Sequence, residues 1–594
     1  MYRTFISLLF LCVSGFAQNH LDVIYPKDSS LIAAVDSTFI FGNTDPQAKL
    51  TINGFDINVH KDGGFLAFLP VYQGNFQFDV ISNLNSDFAI TTVNLVIGSP
   101  PDTSNSFIDR SSVSPSGRTV LRGDDIFEFS FNAKPGGKAI CRFASESIWI
   151  PMYPDIKPWK EANVFGDISL ADSQNSLTYT GYLPVNSLLD SSRVYYRFDY
   201  DIDCTDGQGR FNEFETDSTD YFVVRQNDLP PRTVRLIGRP RIIRVGPGKG
   251  YKLVNQPVGM RFEYIGETPD YYRLRIADNI TGYVRKIDAI LEPEGMSLPS
   301  GDVSFIAIDD STDYVLISMS IGDMLPFEIH TDGSLMTVDL FGLTSDTDWI
   351  RFNGAQKYIE SIWWEQPQDD IYRLNIRWYD DRFWGYSCEY ENDKLILKLK
   401  KRLRASNKRL VPLDGVRVCI DPGHSHDSGA VGPTGLKEKD ANLWIAHELR
   451  QILLENGAEV LMTRMGHENL SLYDRVDLAR KWEADLLISV HNNALPDGIN
   501  PFTHNGTSAY YYFDQARPLA EAIHKRMLKA TDLPDHGLYY GNLALTRVSD
   551  CPAVLVECAF MMIPEQEAKL KTDKFQRKCA RAIYRGILDY LRGK

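Results

Sequence analysis

From Gly415 onward the chain alternates short apolar runs with stretches of helical period, which restricts this region to an α/β fold on a mainly parallel sheet. Val416 to Ile420, Glu459 to Thr463, Asp485 to Val490, Ser508 to Phe513, Leu543 to Arg547 and Ala553 to Val556 read as strands. Between the first two lies a helix with Leu443, Ile445, Leu449, Ile452 and Leu453 apolar, which Asp440 caps and Gly457 ends. Ser471 and Asp474 form a capping box for a helix through Lys481, and further helices fill Ala516 to Ala530 and Asp573 to Leu591. Strands separated by helical lengths require crossover connections, and ligands of such sheets collect at the strands' carboxyl ends. Three of the runs end in His424, His491 and Glu557, so three side chains are delivered to one crevice.

Those residue types suit metal-assisted hydrolysis. A catalytic zinc keeps three protein ligands and one open place, and two histidines with a glutamate are a known set. With Glu438 of Lys437-Glu-Lys-Asp added, His424, Glu438 and His491 are the expected metal ligands and Glu557 the base that moves the water's proton. Eight of the eleven histidines lie beyond position 420, which puts this chemistry in the last third of the chain. Each residue also has a plainer reading: a histidine at a strand end can be hydrogen-bonded within its loop, and Glu438 can be a charged lead-in to a helix. His and carboxylate ligands alone also suit other divalent metals.

Upstream, the reading is all β. Residues 1–17 carry Arg3, an apolar stretch from Phe5 to Val13 and small residues to Ala17, the order of a secretory signal. No later stretch is apolar enough to span a membrane, and a net charge of −15 argues against nucleic acid. Residues 18–98 alternate apolar and polar positions, as in Thr38-Phe-Ile-Phe-Gly and Gly74-Asn-Phe-Gln-Phe, and resemble an immunoglobulin-like sandwich. Residues 99–230, opened by Ser99-Pro-Pro-Asp-Thr-Ser-Asn-Ser, are β-rich with no functional signal. Residues 231–295, with Tyr271-Tyr-Arg-Leu-Arg-Ile and Thr281-Gly-Tyr-Val, resemble a bacterial Src-homology-3-like barrel. Residues 300–400, with Tyr314-Val-Leu-Ile-Ser-Met and Leu395-Ile-Leu-Lys-Leu, suggest a sandwich similar to the amidase N-terminal domain. Seven cations and no carboxylate between Lys398 and Arg409 mark 398–413 as a basic linker, solvated or leaning on an anionic glycan. The cysteines form no disulfide framework, although Cys141 with Cys204 is one candidate pair.

Within 414–594, Ile420-Asp-Pro-Gly-His, Gly435-Leu-Lys-Glu-Lys-Asp-Ala-Asn-Leu, Thr463-Arg, Leu472-Tyr-Asp-Arg-Val, Ser489-Val-His-Asn-Asn-Ala and Pro552-Ala-Val-Leu-Val-Glu resemble the zinc-dependent N-acetylmuramoyl-L-alanine amidases of the type called amidase 3. The resemblance implies one Zn²⁺ on His424, Glu438 and His491, with Glu557 catalytic. It also implies peptidoglycan as substrate, cleaved between the N-acetylmuramic acid lactyl group and L-alanine; an envelope-protein activator is a candidate partner, and the leader at 1–17 implies export to the periplasm, cell envelope or exterior. Asp421 is expected to shape its turn or orient a histidine, and Arg547, Asn493 and His426 are candidate substrate contacts. Two positions depart from the family: Ser425-His426 follow the first histidine where glycines are common, and His536-Gly537 stands for Arg-Gly. Neither 493–508 nor 466–470 has room for an inserted helix over the site, so control by such a helix is not predicted. A stem-peptide carboxypeptidase and an inactive wall-binding scaffold remain the rival readings.

Overall fold

The computed structural model describes residues 19–98 apart from 33–34, separate strand segments between 108 and 225, and 230–593 apart from 240. The expected leader, the linker at 99–106 and Cys204 lie outside the described residues.

The first module packs a three-stranded sheet (Leu21–Tyr25, Ser37–Thr44, Gly64–Pro70) against a five-stranded one that includes Lys49–Ile52, Gly74–Leu84 and Asp87–Ile97. Ile40, Phe65, Phe78 and Val80 fill the space between the two sheets. Period-two alternation explains one buried face, yet in Ser37–Thr44 Phe39 and Phe41 are buried as well as Ile40. Successive strand side chains point to opposite faces, so this strand is covered on both sides.

Residues 233–291 form an antiparallel sheet in which Thr233–Leu236 pairs with both Arg261–Glu267 and Ala289–Leu291. It shares one apolar cluster with the following module, a five-stranded sheet on a four-stranded one. Tyr314–Ser320 buries every second residue there, as Val315, Ile317 and Met319 require. The basic run is not a free linker. Lys398 and Lys400 belong to the strand Lys394–Lys400, and Lys400 Nζ donates at 2.8 Å to both the Asp485 carboxylate and the Ala484 carbonyl, 3% exposed. Lys401 pairs with Asp310 at 2.6 Å and Arg402 with Asp380 at 2.9 Å, which holds the run against the preceding module, while Lys400 reaches the last one.

The last module is a six-stranded sheet with helices packed against it. Its elements are β1 (Arg417–Pro422), α1 (Glu438–Glu455), β2 (Glu459–Met462), α2 (Leu472–Lys481), β3 (Leu486–Asn493), β4 (Thr507–Tyr511), α3 (Arg517–Thr531), β5 (Asp535–Tyr540), β6 (Ala553–Phe560), α4 (Pro564–Leu570) and α5 (Asp573–Leu591). The strand order is β2-β1-β3-β6-β4-β5, and every neighbouring pair is parallel except β4 with β6. All eight residues of β6 are buried, as a central strand covered on both faces requires. Two sequence expectations fail. Leu543 to Arg547 is a turn, because the Thr546 hydroxyl donates to the Gly541 and Leu543 carbonyls and accepts from the Leu543 amide; the edge strand is β5 instead. Helix α1 begins at Glu438, so Asp440 sits inside its first turn rather than at the cap. The Ser471–Asp474 capping box does form at α2.

The Lys400–Asp485 pair is buried at both ends, and removing one partner leaves an uncompensated charge. Asp485→Ala is expected to destabilise the unfolding transition of the last module by about 3–5 kcal/mol in chemical denaturation.

Candidate active site

The site is assembled at the carboxyl ends of β1, β3 and β6. The turn after β1 carries His424, which takes a left-handed backbone conformation at φ 60°. A buried network holds that turn. Asp421, 1% exposed, accepts hydrogen bonds from Thr463 Oγ1 at 2.6 Å, Ser489 Oγ at 2.7 Å and Arg475 Nη1 at 2.8 Å. Arg475 also donates to the Pro422 and His424 carbonyls and to Ser425 Oγ, each within 2.9 Å. Arg464, 1% exposed, donates to the carbonyls of Pro422, Gly423 and Lys439. Asp421 therefore shapes the turn through Arg475, while the carboxylate at His424 Nδ1 is Asp427.

Glu438, 4% exposed at the start of α1, lies between the two histidines. Its Oε2 is 3.0 Å from His424 Nε2 and its Oε1 is 3.0 Å from His491 Nδ1. Ala430 N and Asn492 N donate to the same carboxylate, as does Asn442 Nδ2 one helical turn further along α1. One donor atom each of His424, Glu438 and His491 lies within 4.8 Å of the others, a spacing that could hold a single metal ion. Two glycines keep that space open. A Cβ on Gly423 would meet His491 Cε1 at 2.1 Å, and one on Gly429 would meet Glu438 Oε2 at 2.4 Å. Burial raises the Glu438 carboxyl, but hydrogen bonds from His424 and His491 and their charges outweigh it and hold it below the usual carboxylate range. For His424 burial lowers the imidazole, and Glu438 with Asp427 more than reverses it.

Glu557 on β6 stands opposite His491 in the parallel register of β3 and β6. It is 2% exposed, and its Oε2 has no hydrogen-bond partner among the described residues. Burial pushes its carboxyl well above the usual range, and the Glu438 charge adds to the shift. The arrangement thus joins a three-ligand cluster to one carboxyl that favours holding a proton.

The other candidates stand apart from this cluster. The His426 side chain is 66% exposed and faces Asp427 at 3.5 Å. Asn493 closes its own loop by accepting from the Ala494 amide at 2.7 Å. The Arg547 guanidinium donates to Asn542 and lies 5.1 Å from the Tyr251 ring centre of the second described module. Sequence reasoning gave no role to Asp427, Asn442, Arg464, Arg475 or Glu567. Arg464 and Arg475 do sit in recognisable motifs, and Asn442 follows Glu438 at helical spacing. Glu567 had no signal; it is fully buried and accepts from the Thr434 and Leu436 amides, which fixes the approach to Glu438.

A pair of histidines at strand ends with a glutamate at a helix start, all on an α/β sheet, makes a donor set that could hold a metal ion. Known proteins narrow the reading. The family profile described as N-acetylmuramoyl-L-alanine amidase matches residues 418–589. The chain is 34% identical to the N-acetylmuramoyl-L-alanine amidase LytC of Bacillus subtilis over 194 residues, 32% of this chain and 38% of that protein. It is 35% identical to the sporulation-specific N-acetylmuramoyl-L-alanine amidase of the same organism, covering 67% of it, and 31% identical to AmiA of Escherichia coli, covering 75%. A solved N-acetylmuramoyl-L-alanine amidase from Clostridium difficile aligns at 33% identity over 30% of this chain and 99% of that one, with a TM-score of 0.29. The chain belongs to the N-acetylmuramoyl-L-alanine amidase family, through its last module.

Asp421 carries a pH signature. Burial raises its carboxyl, but Arg475, Thr463 and Ser489 together lower it below its ordinary value. A carboxyl depressed in the folded state contributes stability above the unfolded value near ~3.9, and loses it as pH falls through the folded value. Asp421→Asn is expected to cost on the order of 3 kcal/mol at pH 7. The gap to the parent should narrow below about pH 4 in denaturation series.

Proposed function

We propose that this protein is a zinc-dependent peptidoglycan hydrolase that cleaves the amide between the lactyl group of N-acetylmuramic acid and L-alanine of the stem peptide. The observation that carries the reading is the convergence of His424, Glu438 and His491 within 4.8 Å, with Glu557 in register beside His491. Family membership supplies the substrate class.

His424, Glu438 and His491 would hold the ion, and three protein ligands are the usual number at a catalytic zinc. A divalent cation held there polarises an amide carbonyl and acidifies water. Glu557, buried on β6 in register beside His491, would take a proton from water and return it to the leaving amine of L-alanine. Glu438 keeps its negative charge between the histidines, which preserves the ligand set. Asp427 fixes the His424 ring through Nδ1, and Asn442 fixes the Glu438 carboxylate. His426, Asn493 and Arg547 remain proposed substrate contacts, of which exposed His426 is the freest to reach a ligand.

The reading includes export, with 1–17 as the leader, and β modules that localise the enzyme on the wall, 18–98 as an immunoglobulin-like sandwich, 231–295 as a Src-homology-3-like barrel and 300–400 as an amidase N-terminal-like domain. An envelope-protein activator is part of the same proposal. Among the described residues no helix is long and apolar enough to cross a membrane.

Purified peptidoglycan incubated with the parent chain should release intact peptides with an L-alanine amino terminus, identified by mass spectrometry. Glu557→Ala should release them about 10²- to 10⁴-fold more slowly. Release of single amino acids, or equal release by both chains, would sink the mechanism. His491→Ala should lower the zinc content of the purified protein sharply in elemental analysis.

A further inference from the structure

The upstream modules meet the last one at opposite ends of its sheet. Lys400 reaches Asp485 just before β3, and Tyr386 N donates to the Ser549 carbonyl just before β6. Both contacts lie at the amino ends of the parallel strands, away from the metal cluster. The amino-terminal sandwich does the reverse. Its Phe39, Phe41 and Leu66 share an apolar cluster with Leu495, Phe560, Met562 and Ile563, which follow or end the site strands β3 and β6. Asn43 Nδ2 donates to the Pro433 carbonyl at 2.9 Å, in the segment that leads to Glu438. Asp497, six residues beyond His491, accepts a hydrogen bond from Tyr25 Oη at 2.6 Å and another from Thr38 Oγ1.

We propose that the amino-terminal sandwich is an internal clamp on the metal site, in which Asp497, held by Tyr25 and Thr38, is a positioning residue for the loop that carries His491. Each of Glu438, His491 and Glu557 is joined through a short segment to a point the sandwich touches. The contact is built rather than incidental. Phe39 and Phe41 are 3% and 6% exposed, although in a free sandwich they would sit on its outer face. Tyr25 stacks on Phe41 at 5.7 Å and lies 5.2 Å from Phe39, which aims its hydroxyl across the interface. Burial and the Asp497 charge push the Tyr25 phenol above its ordinary range, so it remains a protonated donor. Outer partners that fix a ligand's orientation typically change metal affinity or activity by about 10- to 100-fold, and a hydrogen-bonded anchor on a ligand loop acts the same way at one remove.

The proposal rests on His424, Glu438 and His491 as the metal ligands, and its test is separable from catalysis. In the full chain, Tyr25→Phe with Thr38→Val removes both hydroxyls but keeps the aromatic packing and the shape of Thr38. Three measurements follow: Zn²⁺ affinity by chelator competition, hydrogen exchange of the amides in 430–437 and 494–500 without metal, and kcat and KM on peptidoglycan. The double variant should keep its circular dichroism, bind Zn²⁺ about tenfold more weakly and exchange those amides faster. It should lose kcat rather than gain KM. Asp497→Asn, which still offers a side-chain oxygen to one hydroxyl, should fall between. Arg402→Ala, whose guanidinium pairs with Asp380 and faces Trp384 away from the sandwich, should leave Zn²⁺ affinity unchanged. Wild-type affinity and exchange in the double variant would overturn the clamp, as would an equal loss in Arg402→Ala, which would reveal only general destabilisation. If the parent chain cleaves no peptidoglycan, the functional reading fails while metal affinity and exchange still decide the clamp.

Discussion

The Glu438 carboxylate is the hinge of this structure. A buried carboxylate is costly unless its charge is met by hydrogen bonds, and here two histidines, two backbone amides and Asn442 meet it. Its position at the first turn of α1 adds the favourable end of the helix dipole. Burial first, and the Glu438 charge second, raise the Glu557 carboxyl when no ion is present. Two carboxylates thus share one pocket in different surroundings, Glu438 met by several donors and Glu557 buried on its strand.

The rest of the last module keeps those groups in register. Parallel pairing of β3 and β6 sets His491 beside Glu557 without any contact between the side chains being required. The turn after β1 has no such ladder, and it is fixed instead by Asp421, Arg475 and Arg464, all nearly inaccessible to water. Two buried guanidiniums against one carboxylate would repel each other, and the backbone carbonyls of Pro422, Gly423, His424 and Lys439 take several of their other donors. Such a network is expensive to break at any point, so it confers rigidity on His424 more than net stability.

Much of this was legible in the sequence. The apolar runs of β1, β3 and β6 are unambiguous because each is buried on both faces, and their last side chains follow directly. Edge elements were not legible. Leu543 to Arg547 has strand-like composition, but Thr546 offers its hydroxyl to nearby carbonyls and closes a turn, a local competition that periodicity does not register. The cations from Lys398 to Arg409 read as a solvated run because their partners, Asp310, Asp380 and Asp485, are distant in sequence. Asp421 adjoins the strand and so reads as the carboxylate beside the histidine, but the turn geometry brings Asp427 to His424 Nδ1.

One signal was present and carried more than it first conveyed. Phe39-Ile-Phe breaks the alternation of a half-buried strand, since three consecutive apolar residues cannot all face one core. Burying a Phe side chain is worth roughly 1.5–3 kcal/mol, so two outward phenylalanines on one strand are a sizeable force for docking. Their acceptors are Phe560 and Met562, at the end of the strand that bears Glu557. An apolar face on a spacer would otherwise be a liability for a protein working in water. On the proposed reading the sandwich clamps the loops beside the site rather than serving only as a distant tether, and the apolar cluster at Phe560 joins it to the strand that carries Glu557.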